Sequence, residues 1–140
     1  MNAWAVGAEG FGDPRWNAAM HSGPHIDPQA DSNERTYAVF LHLTAALWFI
    51  IPVPIVPALI MWQIKKDTSP FLDDHGKEVV NFQLTMLLYG ILFGLLSLIV
   101  IGIPFLIALP FFAVICAIVA AVKAGRGEFH RYPVTLRLIG

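Results

Sequence analysis

Two long stretches of this chain carry no Lys, Arg, Asp or Glu: 29 residues from Thr36 to Ile64, and 44 from Val79 to Val122. A helix rises about 1.5 Å per residue and a bilayer core is about 30 Å thick, so one crossing takes roughly 20 residues. The second stretch is long enough for two crossings. The first exceeds one and falls short of two. Charged residues make up 14% of the 140 and apolar residues 56%, where soluble domains run near about 25% and 45–50%. That balance excludes an ordinary soluble domain and a disordered chain. It predicts an all-α integral membrane protein with three to four membrane-embedded helices.

The charges fall into three segments. Residues 1–36 carry two bases and five acids, residues 65–78 three and four, and residues 123–140 four and one. None is basic enough for nucleic acid. Residues 1–33 hold four glycines, three prolines and no lysine, without apolar periodicity, and read as a flexible tail before a membrane domain over 34–140. No basic stretch leads into a short apolar run there, so the tail is not read as a signal peptide. Trp4, Phe11 and Trp16 could dip into headgroups; the favoured reading for them, and for His21 and His25, is a solvated tail. The single cysteine, Cys116, lies in an apolar run and reads as a small packing residue.

The first uncharged block begins after a Ser32-Asn33-Glu34-Arg35 run. Ser32 or Asn33 can cap a helix, and Glu34 suits its positive end. Pro52, Pro54 and Pro57 then follow β-branched residues, which makes a straight helix through 51–56 untenable. Either one kinked helix spans, or helix 37–50 enters and helix 57–66 returns. The arms would be about 21 and 15 Å long, too short to cross. The re-entrant hairpin is favoured.

Residues 65–78, KKDTSPFLDDHGKE, read as a polar connector. Ser69 and Pro70 form a helix start, with a capping hydroxyl and a proline at the first helical position. Phe71 and Leu72 are expected at the bilayer surface. A second span is expected over about 79–100, an uncharged turn at 101–104, and a third span over about 105–122, with Pro110 near its start. The Lys and Arg of the connector and of the C-terminal segment place both in the cytoplasm of a multi-pass cell-membrane protein.

Several groups are candidates for function. Glu78, Asn81 and Thr85 recur at i, i+3 and i+7 on one helical face, with Lys77 beside them and Gln83 to the side. Polar groups at membrane depth need partners. Two readings stand: a hydrophilic vestibule, or a hydrogen-bonded cluster that holds broken backbone near the prolines or His42 and Thr44. Gly90, Gly94 and Ser97 form one small face, and Ala113, Ala117 and Ala121 another, with Cys116, Ala120 and Ala124 alongside. Such faces let helices approach closely, either within the chain, which is favoured, or between two copies. His42 and His75 could serve as axial haem ligands, but their spacing is not diagnostic. The favoured reading is an interfacial His42 bonded to backbone and a solvated His75. His130 is read as an interface residue. No nucleophile–base arrangement or phosphate loop stands out, so no enzyme, metal or cofactor is expected. The partners expected are the lipid bilayer and a second copy or another membrane protein.

Three runs resemble one family. They are E-R-T-Y-A-V-F-L-H-L-T from Glu34, I-K-K-D-T-S-P-F-L-D-D-H-G-K-E-V-V-N-F-Q over 64–83, and K-A-G-R-G-E-F-H-R-Y-P from Lys123. They are similar to the Tic-twenty-like family of small bacterial membrane proteins of unknown function, over about 34–139. The resemblance implies a helical membrane bundle and brings no catalytic residues. The function expected is a non-enzymatic scaffold or accessory subunit of a membrane complex. The alternative the resemblance implies is an oligomeric translocation or channel-like subunit, as in the chloroplast inner-envelope translocon.

Overall fold

The computed structural model describes residues 26–49 and 55–139. Trp4, Phe11, Trp16, His21, His25, Pro52 and Pro54 lie outside them.

Helix α1 runs Ser32–Leu43. Its cap is Asp31, not Ser32 or Asn33. The Asp31 carboxylate accepts the Glu34 N–H at 2.7 Å, and the Glu34 carboxylate accepts the Asp31 N–H at 3.1 Å. All three of Asp31, Ser32 and Asn33 can cap; only Asp31 has a Glu three residues on, and that reciprocal box decides between them. The helix tightens into a 3-10 turn, Thr44–Phe49. Helix α2 follows, Ile55–Lys65. Pro57 falls in its first turn, where backbone N–H groups have no helical partner anyway. The Tyr37 hydroxyl donates to the Met61 carbonyl at 2.8 Å, and the Lys65 ammonium lies 5.9 Å from the Tyr37 ring centre. The start of α1 therefore meets the end of α2. The first block is broken and folds back on itself.

Helix α3 runs Pro70–Leu96, 27 residues, and α4 runs Gly102–Gly125, 24 residues. At about 1.5 Å per residue these are roughly 40 and 36 Å long, enough to cross a bilayer. A 3-10 turn, Ser97–Ile99, joins them. It closes on Gly102, where a Cβ would lie 2.0 Å from the Phe93 carbonyl oxygen, so only glycine fits. Of the most apolar stretches of α3 and α4, only 22% and 28% of residues are buried. The core helix of a soluble protein shows the opposite. With Leu95, Leu98, Ile99, Ile107 and Ile115 all exposed, these two helices form a hairpin that meets lipid.

Several boundaries differ from expectation. The connector is not a separate interfacial turn, because α3 starts at Pro70 and runs unbroken through Lys77 into the span. Ser69 occupies the cap position, but its hydroxyl makes no capping bond. Phe71 and Leu72 are buried, not at the bilayer surface. They cluster with Ala30, Ala38 and Ala124, whose small side chains leave room for them. Helix α4 begins at Gly102, which puts Pro110 in its interior.

The small-residue row of α4 is buried throughout: Ala113, Cys116, Ala117, Ala120, Ala121 and Ala124. It packs against α1 and the first 3-10 turn as well as α3, with Leu41 and Ala45 in the same core. Gly90 faces α4, since a Cβ there would stand 3.8 Å from Leu109. A Cβ at Gly94 would meet nothing within 4 Å. The Ser97 hydroxyl donates to the Gly94 carbonyl at 2.5 Å.

Candidate functional site

The described charges gather at one end of the molecule, where α1 begins, α2 ends, α3 begins and α4 ends. The remaining chain, 126–139, turns back onto that end. It first pairs Glu128 with Ile26 in an isolated antiparallel bridge, while the Asp27 N–H donates to the Gly127 carbonyl at 2.8 Å. It then lies along α3.

The polar face of α3 is what receives it. The Glu78 carboxylate accepts the Tyr132 N–H at 2.7 Å. Asn81 grips the chain end: its Oδ1 accepts the N–H groups of Leu138 and Ile139 at 3.0 and 2.8 Å, and its Nδ2 donates to the Ile139 carbonyl at 2.9 Å. The Thr85 hydroxyl oxygen accepts the Leu136 N–H at 3.0 Å and donates to the Asn81 carbonyl at 2.8 Å. The Tyr89 hydroxyl donates to the Val134 carbonyl at 3.2 Å. Four side chains spaced 3, 4 and 4 residues apart thus hold the backbone at positions 132, 134, 136, 138 and 139. Glu78, Asn81 and Thr85 are buried. The chain reverses at Val134, whose φ of 54° lies in the left-handed region.

The other candidates stand as follows. Lys77 is partly exposed and pairs with Asp73 at 2.9 Å. The Gln83 amide donates to the Thr44 hydroxyl at 3.0 Å, tying α3 to the first segment. His42 bonds side chains rather than backbone. Its Nδ1 lies 2.8 Å from the Tyr132 hydroxyl and its Nε2 lies 2.7 Å from His75 Nδ1. His75 is fully buried between Phe71 and Phe129, its ring stacked on the latter. Tyr132 stacks on Phe82 with ring centres 4.0 Å apart. Outside this core, Arg131 forms a two-pronged bond to Asp74, 2.7 Å at each prong. Arg131 and Arg137 each stand 3.7 Å from the Glu78 carboxylate.

These contacts set the charge states of the C-terminal segment. Burial, then Lys123 and Arg131, push His130 down to about 4. Burial, with Cys116 and Glu78 adding to it, raises Tyr132 well above its ordinary value. The bond to Asp74 raises Arg131. His130 and Tyr132 are therefore neutral near pH 7.

Residues 33–139 match the family described as magnetosome magnetite crystal formation proteins. The chain belongs to that family. Among curated proteins and among solved structures, nothing matches it. The family match takes in all three runs that resemble the Tic-twenty-like family and overturns that assignment. The translocation reading that came with the resemblance falls with it. The geometry explains why the run around Ser69–Gln83 misleads. Its residues build the packing of the bundle: Pro70 starts α3, Gly76 lies under Trp62, Glu78 and Asn81 hold the C-terminal backbone, and Gln83 holds Thr44. None of that is particular to protein translocation.

This member of the magnetite family is a small integral membrane protein. Among the described residues, no three His, Cys, Asp or Glu side chains are placed to hold a metal ion. Most of its buried polar groups bond to its own backbone and side chains. Sequence reasoning did not find the docking of 132–139, nor the roles of His75 and Tyr132 in it. The alternation of Val134, Thr135, Leu136, Arg137 and Leu138 was the available signal for an extended segment.

Proposed function

We propose that this chain acts in magnetite crystal formation as a structural component of the membrane concerned, not as a catalyst. The observation that carries the reading is the family match over 33–139. The one-ended architecture supports a scaffold: lipid-facing spans at one end, and at the other a polar platform made of residues 26–35, the connector and the C-terminal segment. Seven of the nine basic residues belong to the connector and the C-terminal segment, which favours a cytoplasmic position for both. The partners are bilayer lipid and a second copy or another membrane protein, met through the platform or the exposed apolar faces of α3 and α4.

The test is deletion of the gene in a magnetite-forming host, with crystal number, size and shape measured by electron microscopy. The expected result is an altered crystal population, restored by the wild-type gene. Unchanged crystals would refute the reading. A cysteine placed at exposed Asp67 and reached only from outside the cytoplasm would refute the orientation.

A further inference from the structure

Three histidines and a tyrosine from three elements meet beneath the C-terminal segment, and the scaffold reading makes no use of them. His42 and His75 are fully buried, and His130 and Tyr132 nearly so. His42 is central: Tyr132 is at its Nδ1 and His75 at its Nε2. The His130 ring centre lies 6.5 Å from that of His42 and 5.2 Å from that of Tyr132.

Counting protons in this chain leaves one arrangement. The Tyr132 hydroxyl has no partner but His42 among the described residues. It must therefore donate to His42 Nδ1. His42 then carries its proton on Nε2 and donates to His75 Nδ1, and His75 carries its own on Nε2. Among the described residues that last nitrogen has the Glu128 carbonyl nearby but no well-formed hydrogen bond to it. Adding one proton breaks the order wherever it lands. On His42, Nδ1 becomes a donor to the tyrosine oxygen. On His75, Nδ1 becomes the donor, His42 must shift its own proton to Nδ1, and the outcome at Tyr132 is the same. Either way the tyrosine proton is left without an acceptor in a buried site, which carries the full desolvation penalty.

Among the described residues, the carboxylates nearby are already engaged. Helix α3 brings Asp73, Asp74, Lys77 and Glu78; α4 brings Cys116 and Lys123; α2 brings Lys65; the 3-10 turn Thr44–Phe49 brings no charge; the C-terminal segment brings Glu128, His130, Arg131 and Arg137. Asp73 is paired with Lys77, Asp74 with Arg131, and Glu78 with the Tyr132 N–H. Glu128 faces Arg126.

We infer that this cluster is an acid-released latch: uptake of one proton by the His42–His75 pair turns the Tyr132 hydroxyl out of its bond and frees segment 132–139 from α3. Release would uncover Glu78, Asn81 and Thr85, a row of side chains that binds extended backbone.

The test uses the full chain in lipid nanodiscs, with a spin label attached at pH 7.5 to Leu138→Cys, a position 65% exposed. Wild type is the labelling control for buried Cys116. Label mobility and helix content are followed from pH 7.5 to 4.5. The expected result is a mobile population that grows by up to about tenfold per pH unit, the limit for release coupled to one proton, at constant helix content. The double variant His42→Gln, His75→Gln keeps an acceptor for Tyr132 and a donor–acceptor pair between the two positions but no site for a proton, so its label is expected to stay immobile. An immobile label in the parent chain at pH 4.5, or a step accompanied by helix loss, overturns the latch. So does a double variant that releases at the parent's pH. If the double variant does not fold, Glu78→Gln decides. A step at the parent's pH supports the latch, and a lost step puts the trigger on the carboxylate and overturns it.

Discussion

Replacing Asn81 with Leu removes the side chain that holds the end of the C-terminal segment. Three bonds are lost: two N–H groups on its oxygen, at 3.0 and 2.8 Å, and its amide on the Ile139 carbonyl at 2.9 Å. At about 1 kcal/mol net each, the loss is roughly 3 kcal/mol. The freed backbone groups belong to a surface segment that can lift away and meet water. The loss therefore appears as local opening of 135–139, not as unfolding of the bundle. About 1.4 kcal/mol is a factor of ten, so the open population rises roughly 100-fold. The assay is amide hydrogen exchange at fixed pH on Leu136, Leu138 and Ile139, compared with amides inside α3 and α4. Faster exchange confined to 136–139 is expected. Asn81→Asp keeps the oxygen that accepts both N–H groups and loses only the donor, so its effect is expected to be about 1 kcal/mol, or roughly fivefold. Unchanged exchange at 138 and 139 in Asn81→Leu would refute the argument. Equal acceleration throughout α3 would refute its local character.

Other substitutions test other contacts. Gly76→Ala places a methyl 2.1 Å from Trp62 Cδ1; overpacking of about 1–3 kcal/mol is expected, read as a lower Tm that Trp62→Leu restores in part. Gln83→Leu is expected to cost less than about 1 kcal/mol in a thermal melt, because its buried Oε1 has no partner among the described residues and Thr44 keeps its bond to the Leu41 carbonyl. His130 sits at about 4 in the fold, below its ordinary 6.5. The unfolded chain therefore takes up a proton that the folded chain does not, and stability falls as pH drops from about 6.5 to 4 and is level above that window. Melts of His130→Gln at pH 7 and pH 5 are expected to show a smaller acid loss than wild type.

What could be read from the residues depended on how local the signal was. The two spans follow from an uncharged run of 44 residues, and the broken first block from three prolines in 52–57, because hydropathy and missing N–H groups act at the position where they occur. The shared face of Glu78, Asn81 and Thr85 was equally plain from helical spacing. What that face holds was not. Asn81 binds the backbone of Ile139, 58 residues away, and a backbone partner leaves no mark of its own in the sequence. The burial of Phe71, Leu72 and His75 was hidden for a related reason. Beside Asp73 and Asp74, Phe71 and Leu72 look like bilayer-surface residues and His75 looks solvated, and only Ala38, Ala124 and Phe129, from distant parts of the chain, close over them.

That this protein lives in a membrane, how many long spans it has, and that its first segment cannot run straight all follow from the order of its residues. Tertiary structure alone decided that α1 begins where α2 ends, that the C-terminal segment returns to α3, and that His42, His75, His130 and Tyr132 share one buried site. The physical reason is reach: propensity and hydropathy are settled within a few residues, whereas a side chain buried by, or bonded to, a distant part of the chain acquires its role only when the chain closes.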